Sequence, residues 1–388
     1  MKNESKAVKL HRELKGKYEI KPRGKVTKES LPLLYTPGVA EACLTIRDNP
    51  EEVYNLTRKS NTVAVITDGT AILGLGDIGP EAGLPVMEGK AILFKEFGDV
   101  DAIPLLLSTK DTDKIVETII NIAPSFGGIN LEDIAAPRCF EIERRLKEAL
   151  DIPIFHDDQH GTAIVTSAAV INILRLTNKN KDNFKIVING AGAAGIAIAK
   201  LLLELGFKDL ILCDRSGILH PSKNINEAKL EIHNLTNPRK IEGLLVDAIK
   251  GADLFIGVSS GNVLSGEMVK LMNEKSAILA MANPTPEIHP DLAKQAGAYI
   301  VGTGRSDFPN QINNLSVFPG VFRAALDTRS IQINDEMMTA AARALAYTIS
   351  DDELSVEYII PSAFDKKAHE NLIKAVKKAA KDSGVARV

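Results

Sequence analysis

With 388 residues the chain has room for two domains, each large enough for its own core. Forty-seven basic against fifty acidic residues, a formal charge of −3, leave no electrostatic footprint for nucleic acid or an anionic membrane. Three scattered cysteines (Cys43, Cys139 and Cys213), a charged N-terminus without a signal-like apolar segment, and no apolar run of membrane-spanning length predict a cytoplasmic protein.

An opening helix and its basic continuation run to Gly24. Ser30 to Ala40 then makes a turn in which Pro37 suits the first turn of the next helix, with Tyr35 at that helix's N-terminus. Thr62 to Thr67 is a predicted strand. It leads into Asp68–Pro80, which holds a literal GxGxxG at Gly74, Gly76 and Gly79. Pro80, Gly83 and Pro85 should prevent the helix that a dinucleotide fingerprint must open, so a glycine-shaped loop lining a pocket is expected instead. Lys90 stands directly before the apolar run Ala91–Phe94, where desolvation would lower its pKa and make it a candidate base.

Val100–Leu107 reads as a strand, Lys114–Asn121 as a helix, and Arg138–Leu150 as an amphipathic helix. Just before that helix, Glu132-Asp133 follows Gly127-Gly128. A second acidic pair, Asp157-Asp158, lies between His156 and His160, after the apolar run Ile152–Phe155 and before the helical run Ala163–Leu174. Carboxylates beside apolar elements are costly unless paired or bound to a cation. Several hard oxygen ligands without a cysteine suit Mg²⁺ or Mn²⁺. The spacing His-Asp-Asp-Gln-His also imitates a zinc motif, but that motif needs one continuous helix, and His156 still belongs to a strand end. Simple capping by Asp157 and Asp158 is the plainest alternative.

The second half opens with Phe184–Asn189, then Gly190-Ala191-Gly192-Ala193-Ala194-Gly195, a helix Ile196–Leu205 and a strand Leu210–Cys213 ending in Asp214. Strand, glycine turn, helix, strand and terminal acid form a complete dinucleotide-binding unit. Asp214 should accept from the adenosine ribose and favours NAD⁺, while Arg215 and Lys223 stand near enough in sequence to pair with the 2′-phosphate of NADP⁺. Asp253–Val258, Ala277–Ala282 and Ala298–Val301 add parallel strands. Their C-terminal loops include Asn283-Pro284 and the stretch Asn310–Asn314, which can hydrogen-bond a small carboxylate. The expected fold is therefore α/β, with a substrate and metal domain over 1–160 and a Rossmann-like, doubly wound domain with C-terminal helices over 161–388. A nicotinamide fold, a chelated divalent ion, a lysine base and a tyrosine acid together suit oxidative decarboxylation.

Tyr35–Ala40, Gly74–Asp77, Glu88–Lys90, Leu131–Asp133, Phe155–Thr162 and Ala282–Thr285 closely resemble the malic enzymes, and Thr303–Asn314 with Phe318–Gly320 resembles their short prokaryotic branch. The resemblance implies that Tyr35 is the general acid and Lys90 the general base, with Asp157 beside it. It also implies Glu132, Asp133 and Asp158 as metal ligands and Asn283 and Asn314 on the substrate. The implied reaction converts L-malate and NAD(P)⁺ to pyruvate, CO₂ and NAD(P)H in a homodimer or larger assembly. One position departs: where larger members carry an arginine for the substrate carboxylate, this chain has Ala71. Malolactic or another metal-dependent β-decarboxylating activity on the same scaffold, and a non-catalytic nucleotide-binding regulator, are the alternatives.

Overall fold

A computed structural model describes residues 4–223 and 225–388, apart from the Lys223 side chain, so the expectation placed on Lys223 lies outside the described residues. The first half carries a parallel sheet of four strands: β1 (Thr62–Thr67), β2 (Asp101–Leu106), β3 (Gly128–Leu131) and β4 (Ile154–His156), in the order β2-β1-β3-β4. β1, β3 and β4 are buried almost end to end, Asn130 and His156 included, because both faces of this parallel sheet are covered. Helices α1 (Lys6–Leu14), α2 (Pro80–Gly98), α3 (Thr112–Ile122) and α4 (Arg138–Ala149) belong to this half.

The second sheet has the order β10-β9-β8-β5-β6-β7, where β5 is Lys185–Asn189, β6 Asp209–Asp214, β7 Gly217–Ile218, β8 Leu254–Gly257, β9 Ala277–Ala280 and β10 Ile300–Thr303. All its pairings are parallel except the short edge strand β7. The chain winds outward from β5 in both directions, so a crevice opens between the C-terminal ends of β5 and β8, where such sheets bind ligands.

Helix α5 (Asp157–Thr177) bridges the two sheets: it starts at the end of β4 and packs against α6 (Ala193–Glu204), the helix that follows the glycine turn. Most of its body is buried, consistent with the small apolar run from Ala163. Helices α7 (Phe318–Asp327), α8 (Asp335–Ala346) and α9 (Lys366–Asp382) follow, and α7 returns to the first sheet, where Phe318 and Phe322 meet Phe94 of α2 edge-to-face. No helix among the described residues is long and apolar enough to cross a membrane.

Two sequence-based expectations are corrected. The opening helix stops at Leu14, with Lys15 in the left-handed region, well short of Gly24. And α2 does form directly behind the first glycine loop. Pro80 occupies its first position, where a missing N–H costs nothing. Pro85 sits inside the helix but is exposed, so the carbonyl it leaves unpaired can meet water.

The N-terminal segment is exceptional. Neither α1, nor the turn Leu31–Leu34, nor the helix Val39–Asp48 buries a single residue. Leu33 is 75 % exposed and Tyr35 68 %.

Candidate active site

The ends of β1, β3 and β4 deliver their loops to one side of the first sheet, facing the crevice of the second. A cavity of about 940 Å³ lies between them, lined by Lys90, Glu132, Asp133 and Asp158 from one half and by Asn283 and Asn314 from the other. Leu73 and Gly74 of the first glycine loop line it too, as expected for a pocket loop. A Cβ at Gly74 would come within 2.5 Å of the Asn283 carbonyl, so the two loops touch.

Glu132, Asp133 and Asp158 each offer a carboxylate oxygen, and these lie within 4.8 Å of one another, close enough to hold one metal ion. The positions follow from the fold. Glu132-Asp133 leaves the end of β3, its paired neighbour β4 ends at His156, and Asp158 stands in the first turn of α5. The backbone N–H of Asp133 donates to Asp158 at 2.7 Å, and Asn130 donates to Glu132 at 2.8 Å. Oδ2 of Asp133 is buried without a hydrogen-bond partner. Burial first, then the charges of Asp158 and Glu132, pushes Asp133 up to about 9; burial likewise pushes Glu132 up to about 7, with Lys90 pulling it back. Three crowded carboxylates with an orphaned oxygen fit a hard divalent cation.

Lys90 is buried in α2 and pairs with two carboxylates, Glu132 at 2.9 Å and Asp157. The lowered pKa expected from the sequence does not hold. Burial alone would lower it, but Asp157, Glu132 and Asp158 outweigh burial and raise it. Asp157, fully buried, is pushed up to about 7 by desolvation, with Lys90 pulling it back part of the way. Its other partner is Asn314, whose amide donates at 2.6 Å. Plain capping therefore does not describe the pair: Asp157 turns to Lys90 and Asp158 to the acidic trio. The zinc reading also fails. His156 ends β4, buried and held near 4 mainly by desolvation, while His160 reaches Glu143 of α4 at 2.6 Å.

Several contributors escaped the sequence reading. Gly161 is one turn beyond Asp157, and a Cβ there would sit 1.9 Å from Oδ1 of Asp157, so the glycine makes room for the carboxylate. Glu287 is buried and accepts from the backbone N–H groups of Ser259 at 2.9 Å and Ala282 at 3.0 Å, fixing the loop that carries Asn283. Arg138 braces Asp68 at 2.6 Å beneath the first glycine loop. Only Gly161 left a legible trace, as a glycine one helical turn after a carboxylate.

The second glycine loop behaves as its motif predicts. A Cβ at Gly195 would lie 1.8 Å from the Gly190 carbonyl, whereas one at Gly192 would meet nothing within 4 Å, leaving the backbone open to a pyrophosphate. A cavity of about 820 Å³ runs from Gly190 and Gly192 to Asp214 and Arg215. Ala193 and Ala194 line the first cavity, so the nucleotide crevice opens onto Lys90 and the acidic trio. Asp214 accepts from Ser216 through Oδ1 and from Lys229 at 2.6 Å through Oδ2. Against its partial burial, these bonds keep it below the usual carboxylate range. Three expected site residues line neither cavity: Asp157 lies behind Lys90, Gly195 packs against the Gly190 carbonyl, and Tyr35 is exposed.

The chain matches the family model described as malic enzyme, N-terminal domain, over residues 15–112 and 107–147, and that described as malic enzyme, NAD binding domain, over residues 159–380. It is 54 % identical over 385 residues to the bifunctional malic/malolactic enzyme of Bacillus subtilis, covering 98 % of this chain and 94 % of that one. Identity to the NAD-dependent malic enzyme of Geobacillus stearothermophilus is 54 % over 362 residues, covering 93 % and 76 %. The crystal structure of NAD-dependent malic enzyme from Thermotoga maritima superposes with a TM-score of 0.93 at 52 % identity, over 96 % of this chain and 99 % of that one. Two family models in the right order, end-to-end identity above one half and the same fold leave one conclusion: the chain belongs to the malic enzyme family.

Proposed function

We propose that this chain oxidatively decarboxylates L-malate to pyruvate and CO₂, reducing NAD⁺ or NADP⁺, with Mg²⁺ or Mn²⁺ held by Glu132, Asp133 and Asp158. The observation that carries the reading is the shared cavity, in which Ala193 and Ala194 of the nucleotide turn, the acidic trio and Lys90, backed by the buried Asp157, meet one space. The Gly190–Gly195 turn and Asp214 would hold the nucleotide, which would supply a hydride acceptor, and a divalent ion on Glu132, Asp133 and Asp158 would supply Lewis-acid chemistry.

The chain's own groups handle the protons. The hydroxyl proton passes to the Lys90–Asp157 pair, in which Asp157, raised to about 7, takes up a proton near neutrality. The bond from carbon 3 to the outer carboxylate breaks, CO₂ leaves, and its electron pair forms the enolate. Tyr35 then protonates carbon 3. Asn283 and Asn314 orient the substrate, with Asn314 also steadying Asp157.

Because Tyr35 is exposed and its surroundings bury nothing, its place is in a homodimer, where the apolar stretch Leu31–Leu44 covers its partner and carries Tyr35 to the partner's cavity. Three cysteines scattered along the sequence, without the spacing of a disulfide framework, support a cytoplasmic setting. Asp214 stays ionised and favours NAD⁺, while Lys229 and Arg215 line the same cavity and tolerate a 2′-phosphate. Comparing kcat/KM for the two nucleotides checks this, and a large preference for NADP⁺ overturns it.

The decisive assay follows nicotinamide absorbance and pyruvate together, with L-malate, Mn²⁺ and either nucleotide. Equimolar NAD(P)H and pyruvate are expected. The name of the Bacillus subtilis relative favours one second reading, malolactic turnover. Lactate formed without net nicotinamide reduction identifies it, and no turnover at all refutes both.

A further inference from the structure

Malate carries two carboxylates, and the cavity that should receive it is rich in acids. Glu132, Asp133 and Asp158 face it, and Lys90 is already held by Glu132 and Asp157. A divalent ion on the trio accounts for one end of the substrate. The other end needs a cation, because an unpaired carboxylate drawn into a partly desolvated site is costly. Ala71 lines the cavity and brings no charge. Asn283 and Asn314 are neutral, and one Asn314 N–H already goes to Asp157, so they can hydrogen-bond a carboxylate but not neutralise it.

Besides Lys90, the basic side chains that line the cavity are His11 and Lys17. His11 is exposed and its Nδ1 is bonded to the Ala7 carbonyl at 2.8 Å. Lys17 is half-buried. Its Nζ donates to the Pro85 carbonyl at 2.6 Å, and it forms no ion pair among the described residues. An ammonium has three N–H donors, so two are left to aim at a ligand. A Cβ on Gly89 would meet the Lys17 Nζ at 3.6 Å, an ordinary contact, so the ammonium lies over the turn of α2 that carries Lys90. Lys17 is reached only through α1, which buries nothing of its own and so has no visible packing reason to lie there.

We propose that Lys17 binds the substrate carboxylate remote from the acidic trio, making it a specificity residue for dicarboxylates. The assignment rests on malate as substrate. The test is steady-state kinetics of Lys17→Met and Lys17→Arg beside the unaltered enzyme, with Mn²⁺ and saturating nucleotide. Lys17→Met should raise the malate KM roughly 10- to 100-fold, the usual worth of a hydrogen bond to a charged group. Its kcat should stay within a few-fold and its nucleotide KM should not change. Lys17→Arg should restore most of the affinity. Tartronate and glycolate, as competitive inhibitors differing by one carboxylate, give the second readout: Lys17→Met should weaken tartronate and leave glycolate alone. An unchanged malate KM, a loss confined to kcat, or equal weakening of both inhibitors would overturn the assignment. An unaltered enzyme that does not turn over malate would instead remove the reading beneath it.

Discussion

Gly161→Ala adds one methyl group to a helix interior, a change that ordinarily favours the helix by about 1 kcal/mol. Here the new Cβ would stand 1.9 Å from Oδ1 and 2.9 Å from Cγ of Asp157, and 3.1 Å from the Asn314 Cβ. No side chain tolerates the first of these distances, so Asp157 must swing away by more than an ångström. Doing so breaks its bonds to Lys90 and Asn314. A 1 Å misplacement of a reacting group costs roughly 10²-fold, and loss of an acid–base group roughly 10²–10⁴-fold. We therefore expect kcat to fall at least about 10²-fold, while nucleotide affinity, measured by fluorescence titration, and helical content, by circular dichroism, are kept. The same substitution placed on Asp157→Ala has no carboxylate to displace and should cost almost nothing further. A fully active Gly161→Ala, or an equal loss in both backgrounds, would refute the steric account.

Asp158→Ala and Glu132→Ala should each abolish Mn²⁺-supported turnover while nucleotide binding survives, and full activity in chelator would contradict the metal role. Tyr35→Phe should lower malate-to-pyruvate turnover by roughly 10²–10⁴-fold but spare the reduction of added oxaloacetate, which needs no carbon protonation; Lys90→Ala should impair both. Mixing the two inactive variants should regain activity at about a quarter of sites if Tyr35 acts across a dimer, and no recovery after subunit exchange counts against that arrangement. Glu143 is buried, which alone would raise its pKa, yet His160 and Lys147 hold it below the usual range. Its folded pKa lies below its unfolded one, so its stabilising effect is present above the unfolded pKa and fades as pH falls through the acid range. Glu143→Gln should thus lower the melting temperature at pH 7, by breaking a pair worth about 3–5 kcal/mol to disrupt, and flatten the loss of stability below about pH 5. Parallel melting-temperature profiles for the two proteins would show that Glu143 carries no such linkage.

Much of the fold was legible because parallel strands covered on both faces announce themselves as apolar runs, as Ile186–Ile188 and Leu254–Ile256 do. The acidic trio was legible as two adjacent pairs, one of them at the end of a predicted strand; the strand β3 that carries Glu132-Asp133 is too short and too broken by Asn130 to be read from the sequence. What failed depends on neighbours distant along the chain. The direction of the Lys90 shift is decided by Asp157, 67 residues away, and by Glu132, which no local reading weighs against burial. Helix α2 formed despite its prolines because one sits where no N–H is needed and the other faces solvent. Tyr35 was expected at the N-terminus of the next helix, but it ends the short helix Leu31–Leu34 and the next one starts only at Val39; its remoteness from the cavity is a property of the folded monomer that no motif encodes.

Helix α5 has a mechanical consequence. Its first turn carries Asp157 and Asp158, and its body is packed against the helix that opens the nucleotide turn. An α-helix advances 1.5 Å and rotates about 100° per residue, so this single rod works as a ruler that fixes both the spacing and the rotational phase of two half-sites. Inserting one residue anywhere between Ala163 and Leu174 would turn the acidic pair about a quarter of a circle relative to the nucleotide crevice. Any opening and closing of the cavity must accordingly pivot on other connections, such as the loops that carry Asn283 and Asn314, and leave the rod unbent.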